Sequence, residues 1–358
     1  MKKTFIAILS IISLKSAGQT DSSKNPLSLS GYLETYYSFD FGLPKNNARP
    51  GFIYSHNRHN EVSLNLGFVK AAYQTENVRG NLALMTGSYA NANLAAEPGV
   101  FKNILEANAG FKLSKTRNLW VDAGVFASHI GFESAIGKDC WNLTRGILAD
   151  NSPYFESGVK ISYTSKNEKW FLSGLLLNGW QRIQRVDGNS APAFGHQLTF
   201  KPSSKITLNS SSFVGSDKPD TVRQMRYFHN FYGIFEVTDK IGLTIGFDIG
   251  AEQKSKGNSE YNNWYTPIVI VKVALNDQIN VSARGEYYSD ANGVIIATGS
   301  PNGFRTFGYS ANLDYQIQKN LLWRIEGRGF SSKDEIFILD NKPSKTNLFA
   351  ITALMIQF

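Results

Sequence analysis

The chain has 358 residues, of which 18% are charged and 13% aromatic, with 24 Phe, 16 Tyr and 31 Gly. Soluble proteins carry roughly 25% charge, and this aromatic and glycine content suits many strands with one face kept from water. The formal net charge is +8; without Lys2, Lys3 and Lys15 of the first 18 residues it is +5, with no basic cluster, which argues against nucleic-acid binding.

A single cysteine, Cys140, excludes an intramolecular disulfide and a thiol-built metal framework. Mean hydropathy is -0.24, and no apolar run approaches the about 20 residues that a spanning helix needs. If the chain crosses a membrane, it does so as a closed barrel, because only helices and barrels satisfy every backbone polar group in lipid.

At the start, Lys2 and Lys3 precede an apolar core from Phe5 to Leu14, followed by the small residues Ser16, Ala17 and Gly18. This is the pattern of a secretory signal peptide over residues 1–18, with export through the inner membrane. Residues 19–28 then read as a short periplasmic linker, and residues 29–358 as the folded body.

From Leu29 onward, about sixteen segments of roughly ten residues show period-two apolarity. In the clearest, Ile241, Leu243, Ile245, Phe247 and Ile249 alternate with Gly242, Thr244, Gly246, Asp248 and Gly250. Ile279, Val281 and Ala283 alternate likewise with Asn280, Ser282 and Arg284, and Leu321, Trp323 and Ile325 face one way while Arg324, Glu326 and Arg328 face the other. The connections alternate too. Short polar turns fall near 76–78, 115–118, 166–168, 203–204, 238–240, 276–278 and 318–320. Between them come long connections at 42–57, 89–103, 129–153, 183–193, 215–226, 254–262, 289–303 and 332–346. Loops sorted by parity are the mark of an up-and-down barrel with tight periplasmic turns and long extracellular loops, whereas a Greek-key sandwich mixes them. The expected fold is therefore all-β: a closed antiparallel transmembrane barrel of about sixteen strands in a bacterial outer membrane. The last segment alternates Leu348, Ala350, Thr352, Leu354 and Ile356 and stops at Phe358. Such a terminal aromatic strand is what the barrel assembly machinery of that membrane reads, which makes this machinery an expected partner beside the lipid.

Several stretches carry a family resemblance: residues 31–37 (GYLETYY), 54–61 (YSHNRHNE), 128–133 (SHIGFE), 143–154 (LTRGILADNSPY), 178–183 (NGWQRI) and 226–232 (RYFHNFY). They resemble the OmpL-like β-barrel porins common in Bacteroidota, over nearly the whole mature chain. The resemblance implies an outer-membrane porin and brings no substrate and no site residues.

A sixteen-strand barrel is wide enough for an aqueous channel. The strand registers turn Glu34, Arg79, Glu106, Lys112, Asp122, Lys160, Arg284, Glu286, Asp314, Arg324, Glu326 and Arg328 inward. Arg or Lys facing lipid at the bilayer midplane would cost about 2–4 kcal/mol each. A lumen of mixed sign suits passive diffusion of small hydrophilic solutes and ions. The third long connection, 129–153, is the candidate constriction if it folds inward, as in general porins, rather than standing as an extracellular flap. In it Asp139 would cap a short helix from Trp141 to Ala149, and Asp139, Arg145 and Asp150 would face solutes. The rival functions are an adhesin or structural barrel with a plugged lumen and, further off, a barrel hydrolase, which needs a Ser–His or acid–His set on the outer face or rim. His56 and His59 form H-x-x-H without a third ligand, and the remaining histidines are His129, His196 and His229. No phosphate-cradling glycine loop and no nucleophile elbow is present, so no catalytic residue, cofactor or metal is expected. The aromatic groups Tyr36/Tyr37, Trp170/Phe171, Phe228/Phe231/Tyr232, Trp264/Tyr265 and Tyr287/Tyr288 fall near predicted strand ends, where membrane-interface girdles sit. The oligomeric state is left open.

Overall fold

The computed structural model describes residues 25–358; the signal peptide read over residues 1–18 lies outside them. The chain runs up and down through β1 (Leu27–Asp40), β2 (Val62–Gln74), β3 (Val78–Thr86), β4 (Ile104–Lys112), β5 (Asn118–Ala127), β6 (Phe155–Thr164), β7 (Trp170–Leu177) and β8 (Ala193–Ser203). It continues through β9 (Ile206–Gly215), β10 (Arg226–Glu236), β11 (Ile241–Gln253), β12 (Tyr261–Ala274), β13 (Ile279–Asp290), β14 (Phe304–Gln318) and β15 (Leu321–Ser332). A small hairpin, β16 (Phe337–Leu339) and β17 (Lys342–Ser344), interrupts the last long connection before β18 (Thr346–Gln357). Every barrel strand pairs antiparallel with its chain neighbours. β18 closes the barrel on β1, in a register running from Tyr32 opposite Gln357 to Asp40 opposite Phe349. The closed ladder holds 16 strands, as the loop parity implies.

Closure reaches the last residue. The Gly31 N–H donates to the Phe358 carbonyl (2.7 Å), and the Phe358 N–H donates to the Gly31 carbonyl (3.0 Å). With no free edge, every strand can satisfy its backbone in hydrocarbon.

The alternation of side chains follows the pleat. Along β11, Ile245, Phe247 and Ile249 stand outward and exposed, while Thr244 and Asp248 are buried inside. Leu82, Leu84, Phe111, Ile161, Leu172, Val269, Val271, Ile325 and Leu354 extend the same outward apolar surface around the barrel. An uncovered belt of that size is a liability in water and the expected outer surface in lipid.

The aromatic pairs depart from the sequence reading. Neighbouring residues on a strand must face opposite ways, so only one of each adjacent pair can join an outer girdle. Tyr37, Phe231, Tyr265 and Tyr287 look outward, whereas Tyr36, Phe228, Trp264 and Tyr288 are buried inside. Trp264 lies against Gly250 of the neighbouring strand, where any Cβ would collide with the indole. Its ring also stacks on Phe228 at 6.3 Å between centroids. The upper barrel is thus packed with aromatics as well as ringed by them.

Candidate functional site: the lumen and the loop folded into it

The 128–154 connection, loop 3, does not stand outside the barrel. It descends through the lumen, so that the Lys138 ammonium reaches Gln357 Oε1 (2.8 Å), one residue from the chain end on the short-turn rim. The Lys138 N–H donates to the Tyr32 hydroxyl of β1 (3.3 Å).

What holds the loop is a set of inward charges on β13, β14 and β15. Arg324 forks onto Asp314 through Nε and Nη2 (both 2.6 Å) and donates to the carbonyls of Gly137 (2.8 Å), Cys140 (2.7 Å), Trp141 (3.3 Å) and Asn142 (3.2 Å). Glu326 accepts the Thr144 N–H (2.6 Å) and hydroxyl (2.9 Å), and Glu286 accepts the Ile147 N–H (2.5 Å). Arg284 donates to the Thr144 carbonyl (2.7 Å) and to Glu326 (2.9 Å). Arg328 donates to the Arg145 carbonyl (2.6 Å) and to Glu286 (2.5 Å). Asn312 accepts the Leu143 N–H (3.1 Å). Charge-assisted bonds to main-chain groups are strong in a low dielectric.

These contacts explain why the predicted helix from Trp141 to Ala149 is absent. The backbone groups it would pair internally are taken by barrel side chains. What remains is a 3-10 turn, η1 (Gly137–Asp139), an extended run, and a single helical turn, α1 (Ile147–Asp150). The N-cap of that turn is Gly146, with no side-chain cap, so Asp139 does not serve as one.

Of the three candidate constriction residues, only Asp139 is exposed. Arg145 is fully buried and donates to the carbonyls of Leu143 (2.6 Å), Ser134 (2.6 Å) and Ala135 (3.1 Å), pinning the loop to itself rather than meeting solutes. Asp150 is buried and accepts from Ser55 and from the Tyr154 hydroxyl (both 3.1 Å). Loss of water pushes the Asp150 carboxyl upward and raises that of Glu133 to about 7, although Arg284 and Arg145 oppose the latter shift. Burial also lifts the Cys140 thiol to about 11, which leaves it protonated and unreactive.

The inward candidates fall into three groups. Arg284, Glu286, Asp314, Arg324, Glu326 and Arg328 form the clamp. Glu34 accepts from His56 Nε2 (2.8 Å) and from Asn65 Nδ2 (3.1 Å), which ties the first long loop into the lumen. The remaining five lie on the opposite wall, from β3 to β6. There Arg79 forks onto Asp122 (2.6 and 2.5 Å), Glu106 pairs with Lys70 of β2 (2.8 Å), Lys160 lies 4.4 Å over the Phe126 ring, and Lys112 is half-buried. Lys70, Asn65 and Glu133 escaped the sequence reading. Asn65 and Leu66 are consecutive yet both buried, because the β1–β2 register slips between Glu34 and Thr35. A bulge breaks the parity on which face assignment rests.

Above the loop, aromatic packing narrows the long-loop end of the lumen. Phe52 of the first loop meets Phe304 (4.7 Å), Phe330 (5.4 Å) and Phe337 (6.2 Å). Tyr89 of the second loop meets Tyr154 (5.6 Å). A cavity of about 450 Å³ opens beside Trp180, Arg182, Arg226 and Asn151, and another of about 200 Å³ lies between loop 3 and Leu105 and Glu106 of β4. Ser152 borders the first and Pro153 and Tyr154 the second.

The histidines serve structure. His59 Nδ1 accepts the Asp40 N–H (2.9 Å). His129 Nε2 meets the Ser212 carbonyl (2.8 Å), and burial lowers its pKa to about 4, so the ring is neutral and Nε2 carries the proton. On the outer face, His196 Nδ1 pairs with Ser212 Oγ (2.5 Å) and His229 Nε2 with Ser210 Oγ (2.9 Å). Among the described residues neither ring has a carboxylate within salt-bridge distance, and no cluster of three or more His, Cys, Asp or Glu is placed to hold a metal.

The family described as "Putative beta-barrel porin-2, OmpL-like" matches residues 26–358. No curated protein sequence is similar to the chain. Solved structures share its fold at low identity. The anion-selective porin from Comamonas acidovorans superposes with a TM-score of 0.60 at 7% identity, over 93% of this chain and 99% of that one. The outer membrane channel DcaP of Acinetobacter baumannii gives 0.60 at 11% identity (93% and 97%). Salmonella typhi OmpF, in complex with daunomycin, gives 0.61 at 10% identity (93% and 98%).

Proposed function

The chain belongs to the OmpL-like β-barrel porin family and is an outer-membrane porin; from that premise we propose that small hydrophilic solutes diffuse passively along the wall that loop 3 leaves free. The observation that carries this reading is the contrast between the two sides of the lumen. The clamp pairs are 0–2% exposed apart from Asp314 at 10%, whereas on the free wall Lys70, Glu106 and Arg79 keep 27%, 21% and 27% of their side chains open and only Asp122, at 6%, is shielded. Loop 3 is the constriction in this account. Its buried Arg145 and Asp150 shape it, and Asp139 is the one candidate that meets water.

The rest of the proposal follows from export. Residues 1–18 are the signal peptide, 19–28 a periplasmic linker and 29–358 the barrel, whose last strand, ending in Phe358, is read by the barrel assembly machinery. The proposal assigns the barrel the passage of solutes and no catalytic step. One observation favours a second reading. The aromatic packing around Phe52 and Tyr154 is what a plugged adhesin or structural barrel would show.

Liposome swelling decides between them. Proteoliposomes with the refolded protein are expected to swell in small sugars and amino acids, at rates falling steeply with solute size. No swelling, from protein shown to be folded by its heat-modifiable migration, would establish the plugged barrel instead.

A further inference from the structure

Loop 3 touches the lumen wall unevenly, and the charges it leaves uncovered are not balanced. From its first turn it lies on the β8–β12 side: His129 fills the space over Gly195, Gly131 donates to Asn230 (3.2 Å), Phe132 packs over Gly246, and Trp141 lies over Gly242. At Gly137 it reaches β1 and β18, beside Glu34 and Met355, and it then crosses the clamp on β13–β15 from Cys140 to Ile147. The cavity beside Leu105 and Glu106 marks the side it does not fill.

Within the clamp itself the charge cancels. The clamp arginines and loop Arg145 make four cations, against four carboxylates in Glu133, Glu286, Asp314 and Glu326, all removed from water or nearly so. On the free wall, Lys70, Arg79, Lys112 and Lys160 face Glu106 and Asp122, with Glu156 fully buried at the long-loop end of β6: four cations against three acids, a net charge of plus one. Glu106 and Asp122 are already occupied by Lys70 and Arg79. Among the described residues, Lys112 and Lys160 have no carboxylate within 4.0 Å. Lys112 ends β4 beside the short-turn rim and Lys160 stands midway along β6, so the unpaired cations are spaced along the path.

We propose that this wall makes the channel anion-preferring, with small carboxylates and phosphates as its preferred solute class, and that Lys112 and Lys160 are the residues that set the preference. This rests on the porin reading above. Charges lining a narrow path between low-dielectric walls act on a passing ion far more strongly than in bulk water. Paired charges largely cancel for such an ion, so the unpaired lysines dominate. A free passage along the clamp side would have given no preference.

The test is the zero-current potential of the full mature protein in a planar bilayer under a potassium chloride gradient. Chloride is expected to permeate several-fold better than potassium. The double variant Lys112→Gln/Lys160→Gln should fall toward parity, and Lys112→Glu/Lys160→Glu should reverse the sign, with conductance retained in both. Cation preference in the unmodified protein, or variants whose potentials do not move, would overturn the assignment while leaving the porin reading intact. A folded barrel that passes no current would overturn both. If the glutamate pair fails to fold, the glutamine pair still decides, because it removes charge at nearly constant volume.

Discussion

Removal of residues 137–151, with 136 joined to 152, is expected to raise single-channel conductance several-fold while the barrel still assembles. The strands hold one another through a closed backbone ladder to which loop 3 contributes nothing. The loop, in contrast, occupies the lumen from the long-loop rim down to Gln357. Its departure exposes the clamp residues, whose charges can then be hydrated in place. A sixteen-strand ring emptied of its filling approaches the open diameter of an aqueous pore. Conductance equal to that of the full chain, measured on protein with heat-modifiable migration, would remove loop 3 from the mechanism.

The second large effect concerns one side chain. Arg324→Ala removes the fork onto Asp314 and four bonds to loop carbonyls in a single step. Breaking a buried pair from one side typically costs about 3–5 kcal/mol, because the surviving charge is left without its partner. The cost here falls on the docking of the loop rather than on the ladder, and relief comes when the loop lifts and water reaches Asp314. Larger and flickering current is expected, together with trypsin cleavage after Lys138 or Arg145, which the unmodified protein should resist. Arg324→Lys should rescue only partly, since an ammonium cannot reproduce the planar fork. A variant as quiet and as resistant as the parent would show that Arg324 does not hold the loop.

The barrel was legible in the sequence because its two strongest signals are local. Period-two apolarity along a segment such as 241–250 and the sorting of connections by length both survive without knowledge of any distant contact. Face assignment was legible wherever that parity ran unbroken, as at Arg284, Glu286, Arg324 and Glu326. It failed at the bulge near Asn65, where one extra residue turns every later side chain over. It also failed for the adjacent aromatics, which were read as one girdle although Tyr36 and Trp264 point into the barrel.

The shape of loop 3 was not legible, for a different reason. Helix signals between Trp141 and Ala149 are local preferences of a fraction of a kcal/mol per residue. The bonds that overrule them come from Asn312, Arg324 and Glu326, about 170–185 positions away. The inward location of the loop was one of two readings of the sequence, beside an extracellular flap. The burial of Arg145 and Asp150 could not, because it depends on carbonyls and hydroxyls that only the folded loop brings together.

The most direct measurement is the current through the refolded, full mature protein in a planar lipid bilayer. Stepwise, ohmic conductance increments are expected, smaller than those of the loop-deleted form and carried by a lumen only partly filled. A barrel that inserts, migrates as folded and stays silent at every applied voltage would contradict the account at its root.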